Sequence, residues 1–127
     1  MIQNRFLGSR KVRLFLLGAL IGIAVFLLVY GIAPLDVAND AFCRGGYVEK
    51  DIQQHYAGWL FYRDSTLRWP LGVSLAVNAP SGVSVAYTDS IPLLAVLCRP
   101  LAALCGGTFQ YFGWFTFFCF LLQGGFG

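Results

Sequence analysis

The sequence predicts an all-α membrane protein with about three transmembrane helices and one external loop that contains a short interfacial helix. Of its 127 residues, 57% are hydrophobic and only 12% are charged, whereas soluble domains carry about 25% charged residues. All six acidic residues lie between positions 36 and 89, and long apolar runs lie on either side of them. This segregation indicates apolar helices separated by an aqueous segment of about 55 residues.

The first predicted span covers residues 14–35, in which no residue is charged. At about 1.5 Å per residue, this run is long enough to cross a hydrocarbon core of about 30 Å. Residues 1–13 contain four basic residues and no acidic one, so the positive-inside rule places the N-terminus in the cytoplasm. A cleavable signal peptide is the alternative, but the apolar run is longer than is usual, and Pro34 follows the best small-residue cleavage site.

Residues 36–82 are predicted to form the external loop, because they mix acidic and basic residues with turn-forming glycine and proline. Within this loop, residues 48–62 have the spacing of a helix. If that helix lies at the membrane surface, Trp59, Phe61 and Tyr62 are at the depth of the lipid headgroups. The loop would then be built against the membrane and neighbouring helices.

Two more spans are predicted after the loop. Residues 83–98 form the second span, residues 99–108 a cytoplasmic turn and residues 109–127 the third span. This division puts Arg99 at a cytoplasmic helix end, where a basic residue is favourable. The alternative is one span over 90–105 with Arg99 buried, which costs several kcal/mol unless the charge is paired. Because the third run is apolar to the last residue, we expect the chain to be a fragment of a larger multi-pass protein.

The candidate catalytic residues lie on the predicted loop helix. Asp51, Gln54 and His55 fall along one side of it, with Asp51 and His55 about one turn apart. A carboxylate in that position could orient or charge an imidazole, which makes the pair the simplest proton-transfer arrangement in this sequence. The alternative is an interfacial helix whose polar side chains are only hydrated.

A second acid and three arginines complete the candidate site. Asp89 and Asp51 could face each other across a cleft and there bind a divalent metal ion or act as a base. The alternative for Asp89 is that it only caps the next helix. Guanidinium groups bind phosphate through paired hydrogen bonds. The predicted substrate-binding residues are therefore Gln54, Arg44, Arg63, Arg68 and Asp89.

Several common kinds of site are absent from the sequence. The four cysteines and the single histidine do not have zinc-ligand spacing. There is no glycine-rich phosphate-binding motif. No segment is basic and aromatic enough to indicate nucleic acid, so we expect no nucleic-acid partner.

Four segments carry a resemblance to a known family: "DIQQHYAGWLFYR", "WPLG", "YTDSIPLLAVLCRPL" and "FQYFGWF...CFLLQG". In order and spacing they resemble the opening part of a bacterial multi-pass membrane family, domain of unknown function 6311, over residues 10–127. The resemblance implies that full-length members are several times longer. It also implies a bacterial inner-membrane location and further helices that would pack against those of this chain.

That family is itself similar to membrane glycosyltransferases of the GT-C architecture, which take sugars from polyprenyl-phosphate donors. In that architecture an acidic residue of the first external loop is the general base or a metal ligand, and the resemblance gives this role to Asp51. The chain is therefore interpreted as the N-terminal fragment of a GT-C-like glycosyltransferase, inactive alone, in which His55 orients Asp51 or the substrate. The alternatives are a transport or assembly subunit without catalytic activity, or an inactive truncated remnant.

Overall fold

The computed structural model describes residues 2–45 and 50–127, and most of them are helical, which confirms the predicted helical class. The α-helices in this part of the chain are α1 (Ile2–Tyr30), α2 (Ala41–Arg44), α3 (Lys50–Asp64), α4 (Pro92–Cys105) and α5 (Phe112–Phe126). Two-residue strands, β1 (Val73–Ser74) and β2 (Val83–Ser84), pair antiparallel with Val73 opposite Ser84. Residues 48 and 49 of the predicted loop helix lie outside the described residues.

The chain divides into two compact units. One unit consists of the chain up to Asp36 together with Gly113–Gly127, and it contains α1 and nearly all of α5. The other, Val37–Phe112, contains α2, α3, the strands and α4. We call them the helix pair and the central unit. The central unit holds the predicted site residues.

Within the helix pair, α1 and α5 come close together at glycines. A Cβ atom on Gly18 would overlap the backbone carbonyl of Gly124, and one on Gly22 would overlap that of Phe120. Gly18 and Gly22 have the Gly-x-x-x-Gly spacing through which apolar helices associate closely in membranes. Since backbone atoms meet there, no larger side chain fits without separating the two helices.

One helix in the described part of the chain is long and apolar enough to cross a membrane. It is Ser9–Tyr30, with 22 residues and a mean hydropathy of 2.7; a signal sequence near an N-terminus has the same properties. Much of its apolar surface is exposed, and Leu28 is 87% exposed. α4 and α5 are apolar but only 14 and 15 residues long. The three-span topology stays a prediction.

The second apolar helix has different limits from the predicted 83–98. Residues 83–84 belong to β2, Val85–Thr88 form a 3-10 turn, and the helix begins at Pro92. The sequence at Pro92 explains why the helix begins there, because proline is favourable in a first helical turn, where its missing N–H is not needed for a hydrogen bond. The helix then continues to Cys105, through most of the predicted cytoplasmic turn at 99–108. Arg99 therefore lies inside α4.

Arg99 is accommodated within α4 because it has partners. Its Nη2 donates a hydrogen bond to the carbonyl oxygen of Ser65, and its guanidinium carbon lies 4.8 Å from the ring centroid of Tyr62. These contacts join the middle of α4 to the end of α3 and the residue after it. The helix limits agree better with the alternative of one helix over about 90–105 with a paired Arg99.

The core of the central unit is aromatic and is centred on α3. Trp59 is 0% exposed and Tyr62 is 1% exposed, so both side chains pack inside the central unit, and the predicted interfacial position of their helix stays a prediction. The Trp59 indole donates a hydrogen bond to the carbonyl oxygen of Phe109 at 2.8 Å, and its ring centroid lies 5.0 Å from that of Tyr111. Phe61 differs from these two, since it is 48% exposed. α3 is therefore the central helix of a folded unit.

Candidate functional site

Asp51 lies in the first turn of α3, and its side chain is exposed. Within the described residues, no hydrogen bond or ion pair involves its carboxylate. A negative charge in this position interacts favourably with the helix dipole. Two to three turns further along α3, Trp59 and Tyr62 are buried in the core and hold the helix in place. The carboxylate is thus accessible on a firmly held helix.

His55 lies one turn after Asp51 and is half-buried. Its Nδ1 is buried and has no hydrogen-bond partner in the part of the chain that the structure describes. Its backbone carbonyl oxygen accepts a hydrogen bond from Ser90 Oγ at 2.6 Å. The structure thus brings Asp51 and His55 onto the same helix without a hydrogen bond between them.

The predicted phosphate-binding arginines differ in whether their guanidinium groups already bind a carboxylate. Arg44, in α2, donates from Nε to the carboxylate of Asp40. Arg63 donates to both carboxylate oxygens of Asp64, at 2.7 and 3.1 Å. Arg68 is exposed in the segment after α3, and in the described part of the chain it has no hydrogen-bond or ion-pair partner. Gln54 is exposed on α3.

Asp89 is exposed and has a left-handed backbone conformation with φ of 52°. It ends the 3-10 turn Val85–Thr88, whereas Ile91 precedes the first residue of α4 without a side-chain cap. The alternative that Asp89 caps α4 is therefore wrong. Among the residues that the structure describes, no three His, Cys, Asp or Glu side chains are grouped so as to hold a metal ion.

Arg44 belongs to a hydrogen-bonded group whose other two members, Asp40 and Tyr56, were not selected from the sequence. The carboxylate of Asp40 accepts a hydrogen bond from Tyr56 Oη at 2.9 Å and another from Arg44 Nε. The guanidinium carbon of Arg44 lies 6.0 Å from the Tyr56 ring centroid. We call these three residues the Asp40 cluster. It links α2 to α3, and the spacing of four between Asp40 and Arg44 was its signal in the sequence.

A cleft of about 330 Å³ opens beside the Asp40 cluster. Its lining residues are Cys43, Arg44, Gln53, Tyr56, Ala57 and Leu60. Gln53 spans the end of α2, since its Nε2 donates to the carbonyl oxygens of Arg44 and Gly45 at 3.3 and 3.1 Å. The cleft therefore presents a guanidinium, a phenol and an amide beside apolar side chains.

The family model named domain of unknown function, DUF6311, matches residues 19–127. The chain belongs to this family. The DUF6311 match begins inside α1 and includes α2 to α5, so Asp51, the Asp40 cluster and Asp89 all lie within it. No curated protein and no solved structure matches the chain.

The charges of the Asp40 cluster follow from its contacts within the DUF6311 region. Burial acts to raise the pKa of the Asp40 carboxyl, but the hydrogen bonds from Arg44 and Tyr56 outweigh it, and the pKa is lower than its ordinary value. Burial and the hydrogen bond to Asp40 raise the pKa of Tyr56 to about 12. At neutral pH the cluster is therefore a carboxylate between a neutral phenol and a guanidinium, which suits binding and positioning better than proton abstraction.

Burial also raises the pKa of the Cys43 thiol to about 12. A thiol that stays protonated at neutral pH is a weak nucleophile, since the thiolate is the reactive form. Cys43 is therefore a structural member of the cleft wall.

We expect Asp40→Asn to lower the free energy of unfolding by about 1 kcal/mol at pH 7, because it removes a charged hydrogen-bond acceptor. An acid with a lowered folded-state pKa stabilises the protein above its unfolded pKa of about 3.9, and this contribution disappears as the pH falls through the folded-state pKa. The difference from wild type should thus shrink below about pH 4. Thermal unfolding at pH 7 and pH 3.5 measures this difference, with the exposed Asp89→Asn as control. A difference as large at pH 3.5 as at pH 7 would contradict this account.

Proposed function

We propose that this DUF6311 protein takes part in glycosyl transfer at the bacterial inner membrane, with a polyprenyl-phosphate-linked sugar as donor. The observation that carries the proposal is the accessible Asp51 carboxylate in the first turn of a helix that is held in the core further along by Trp59 and Tyr62. A base held on a rigid element keeps its position relative to a bound substrate. The apolar helix Ser9–Tyr30 supplies a means of keeping the protein at a membrane, where the donor's lipid tail must stay.

The reaction assigns one role to Asp51. The acceptor hydroxyl attacks the anomeric carbon of the sugar, the bond from that carbon to the phosphate oxygen breaks, and polyprenyl phosphate leaves with the bond's electron pair. Asp51 takes the hydroxyl proton as the new glycosidic bond forms. We assign His55 a positioning role toward Asp51 or the substrate, through rotation of its half-buried ring.

The structure favours one of the three predicted phosphate-binding arginines. Arg44 and Arg63 already bind carboxylates. In the described residues Arg68 has no such partner and is exposed, so its guanidinium is free to bind a phosphate through paired hydrogen bonds. We therefore propose Arg68 as the first phosphate contact, with Gln54 as a neutral hydrogen-bonding group on α3.

A divalent metal ion bound by Asp51 or Asp89 would need further ligands from outside the residues that the structure describes. The carboxylates of Asp51 and Asp89 are oxygen donors of the kind that Mg²⁺ and Mn²⁺ prefer. Both are exposed, and neither belongs to a group of three or more His, Cys, Asp or Glu side chains in the described part of the chain. Water or donor phosphate oxygens would have to complete the coordination, as is common for Mg²⁺.

The proposal is tested by replacing Asp51 in the chromosomal gene. Strains with the wild-type gene, a deletion and Asp51→Asn are compared for the sugar composition of their envelope glycans. The deletion and Asp51→Asn strains should lose the same sugar, while the level of Asp51→Asn protein should stay normal because the side chain is exposed and has no partner among the described residues.

Asp64→Asn is the matched control, since Asp64 is an exposed acid at the other end of α3 and has no role in the proposed reaction. It should leave the glycans unchanged. Wild-type glycans in the Asp51→Asn strain would remove Asp51 from catalysis. Unchanged glycans in the deletion strain would argue against glycosyl transfer and for a non-catalytic membrane component.

A further inference from the structure

A second cleft lies in the central unit, between the end of α3 and the middle of α4. Its volume is about 390 Å³, which is within the range of small-molecule sites. Its walls are mainly apolar, with Leu67, Leu71, Val96 and Pro100 among them, and its polar lining residues are Tyr62 and Arg99. It shares no lining residue with the cleft beside the Asp40 cluster.

Two polar atoms of these lining residues are buried and unsatisfied. Tyr62 is 1% exposed, and within the described part of the chain neither its Oη nor the Nη1 of Arg99 has a hydrogen-bond partner. The rest of the guanidinium is engaged, since Nη2 donates to the Ser65 carbonyl and the group lies against the Tyr62 ring. A buried donor without an acceptor is unfavourable, more so when it is charged. A hydrogen-bond acceptor from outside the described residues would therefore stabilise both groups.

The charge of the cleft determines what kind of acceptor fits. None of its lining residues is acidic, so the positive charge of Arg99 has no counter-ion there. An anion at this place would be attracted by that charge and would satisfy a buried donor. The apolar side chains beyond it, of which Leu67 and Leu71 are exposed, favour contact with hydrocarbon over contact with water. An amphipathic anion matches both halves of the cleft.

We propose that this cleft binds a long-chain fatty acid, with its carboxylate between Arg99 and Tyr62 and its alkyl chain along Leu67, Leu71 and Val96. A carboxylate has two oxygens that accept hydrogen bonds. One accepts from Arg99 Nη1 and the other from the Tyr62 hydroxyl, so both unsatisfied donors acquire partners. A phosphate monoester carries more charge and more oxygens than these two donors match. The site is independent of the proposed glycosyl transfer.

The proposal is tested by titrating the purified chain, in a non-ionic detergent, with palmitate carrying ¹³C at the carboxyl carbon. The NMR signal of the bound carboxylate should saturate at one palmitate per chain. Hexadecanol, which has the same chain and no charge, should compete at least about tenfold more weakly, since a charged hydrogen bond is lost. Hexadecyl phosphate should also compete more weakly than palmitate.

Three variants test the contributions of the Tyr62 hydroxyl, the Arg99 charge and the space in the cleft to palmitate binding. Tyr62→Phe keeps the buried ring and removes one donor, Arg99→Met removes the charge, and Ala103→Leu narrows the cleft while leaving both donors. Each should weaken palmitate binding about tenfold, and thermal unfolding confirms that the variant is folded. Tyr87→Phe is the matched control for Tyr62→Phe, since Tyr87 lies outside the cleft lining, and it should bind palmitate like wild type.

Three results would contradict the fatty-acid site, and each would assign the cleft to a different occupant. Equal binding of hexadecanol and palmitate would show that the cleft takes any hydrocarbon. Tighter binding of hexadecyl phosphate would assign the cleft to a phospholipid headgroup. Failure of the wild type to bind palmitate, together with a change of oligomeric state in Arg99→Met, would assign the cleft to an acidic segment of a second copy.

Discussion

Trp59→Ala is expected to lower the free energy of unfolding of the central unit by about 3–5 kcal/mol. Trp59 is fully buried at the centre of α3, and truncation removes its packing against Tyr111 and Phe109. It also leaves the carbonyl oxygen of Phe109 without the indole N–H that now donates to it at 2.8 Å. The cavity and the lost buried hydrogen bond both lower the free energy of unfolding.

The measurement is chemical unfolding in a non-ionic detergent, followed by circular dichroism. Phe61→Ala is the matched control, because it is an aromatic truncation two residues away on the same helix, at a position that is 48% exposed. We expect the control to lower the free energy of unfolding by less than about 1 kcal/mol. Equal effects of the two substitutions would show that α3 lies at an interface and is not the core helix of a folded unit.

Gly18→Leu combined with Gly22→Leu is expected to separate α1 from α5. The new side chains meet backbone carbonyls of Gly124 and Phe120, which cannot move aside as a flexible side chain can. We expect a loss of about 3 kcal/mol or more, the upper part of the range for overpacked contacts. Close approach of the backbones would be lost along with the packing that holds apolar helices together in lipid.

Thermal unfolding in phosphatidylcholine nanodiscs measures this effect. Ala24→Leu is the matched control, because it makes a similar small-to-large change at an exposed position of the same helix. The control should keep the wild-type Tm, while the double glycine variant should have a clearly lower Tm. An unchanged Tm in the double variant would mean that α1 and α5 are not held together at these glycines.

The helical class and the presence of α1 and α3 could be predicted because they depend on local properties, although α1 covers Ile2–Tyr30 and not the predicted residues 14–35. A long uncharged apolar run and a 3.6-residue period are readable within one segment. The Gly-x-x-x-Gly spacing at 18 and 22 was equally readable, although its partner on α5 was not. Which helix a glycine faces depends on tertiary structure.

The limits of α4 could not be read from the sequence, because local and tertiary preferences conflict there. A basic residue followed by proline is typical of a helix end, since proline disfavours helix at the residue before it. Arg99 nevertheless lies within the helix, where it binds Ser65 and Tyr62. Those partners are 34 and 37 residues away, so no local pattern indicates them.

The candidate site was predictable only in part, for the same reason. Asp51 is accessible on α3 in the way that helical spacing indicates. Asp40 was missed because its role depends on Tyr56, sixteen residues later. Aromatic composition predicted an interfacial α3, since Trp and Tyr are common both at headgroups and in cores. The burial of Trp59 and Tyr62 in the central unit depends on tertiary packing, which composition does not reveal.

The most direct measurement is the transfer of sugar from a radiolabelled polyprenyl-phosphate sugar by membranes that contain the protein produced from its chromosomal gene. Wild-type membranes should release polyprenyl phosphate and form labelled product. Membranes with the same amount of Asp51→Asn protein should form at least about 100-fold less product, because the base is removed and the fold is kept. Equal product from the two would contradict the assignment of Asp51 as the base, and no product from wild type would contradict glycosyl transfer itself.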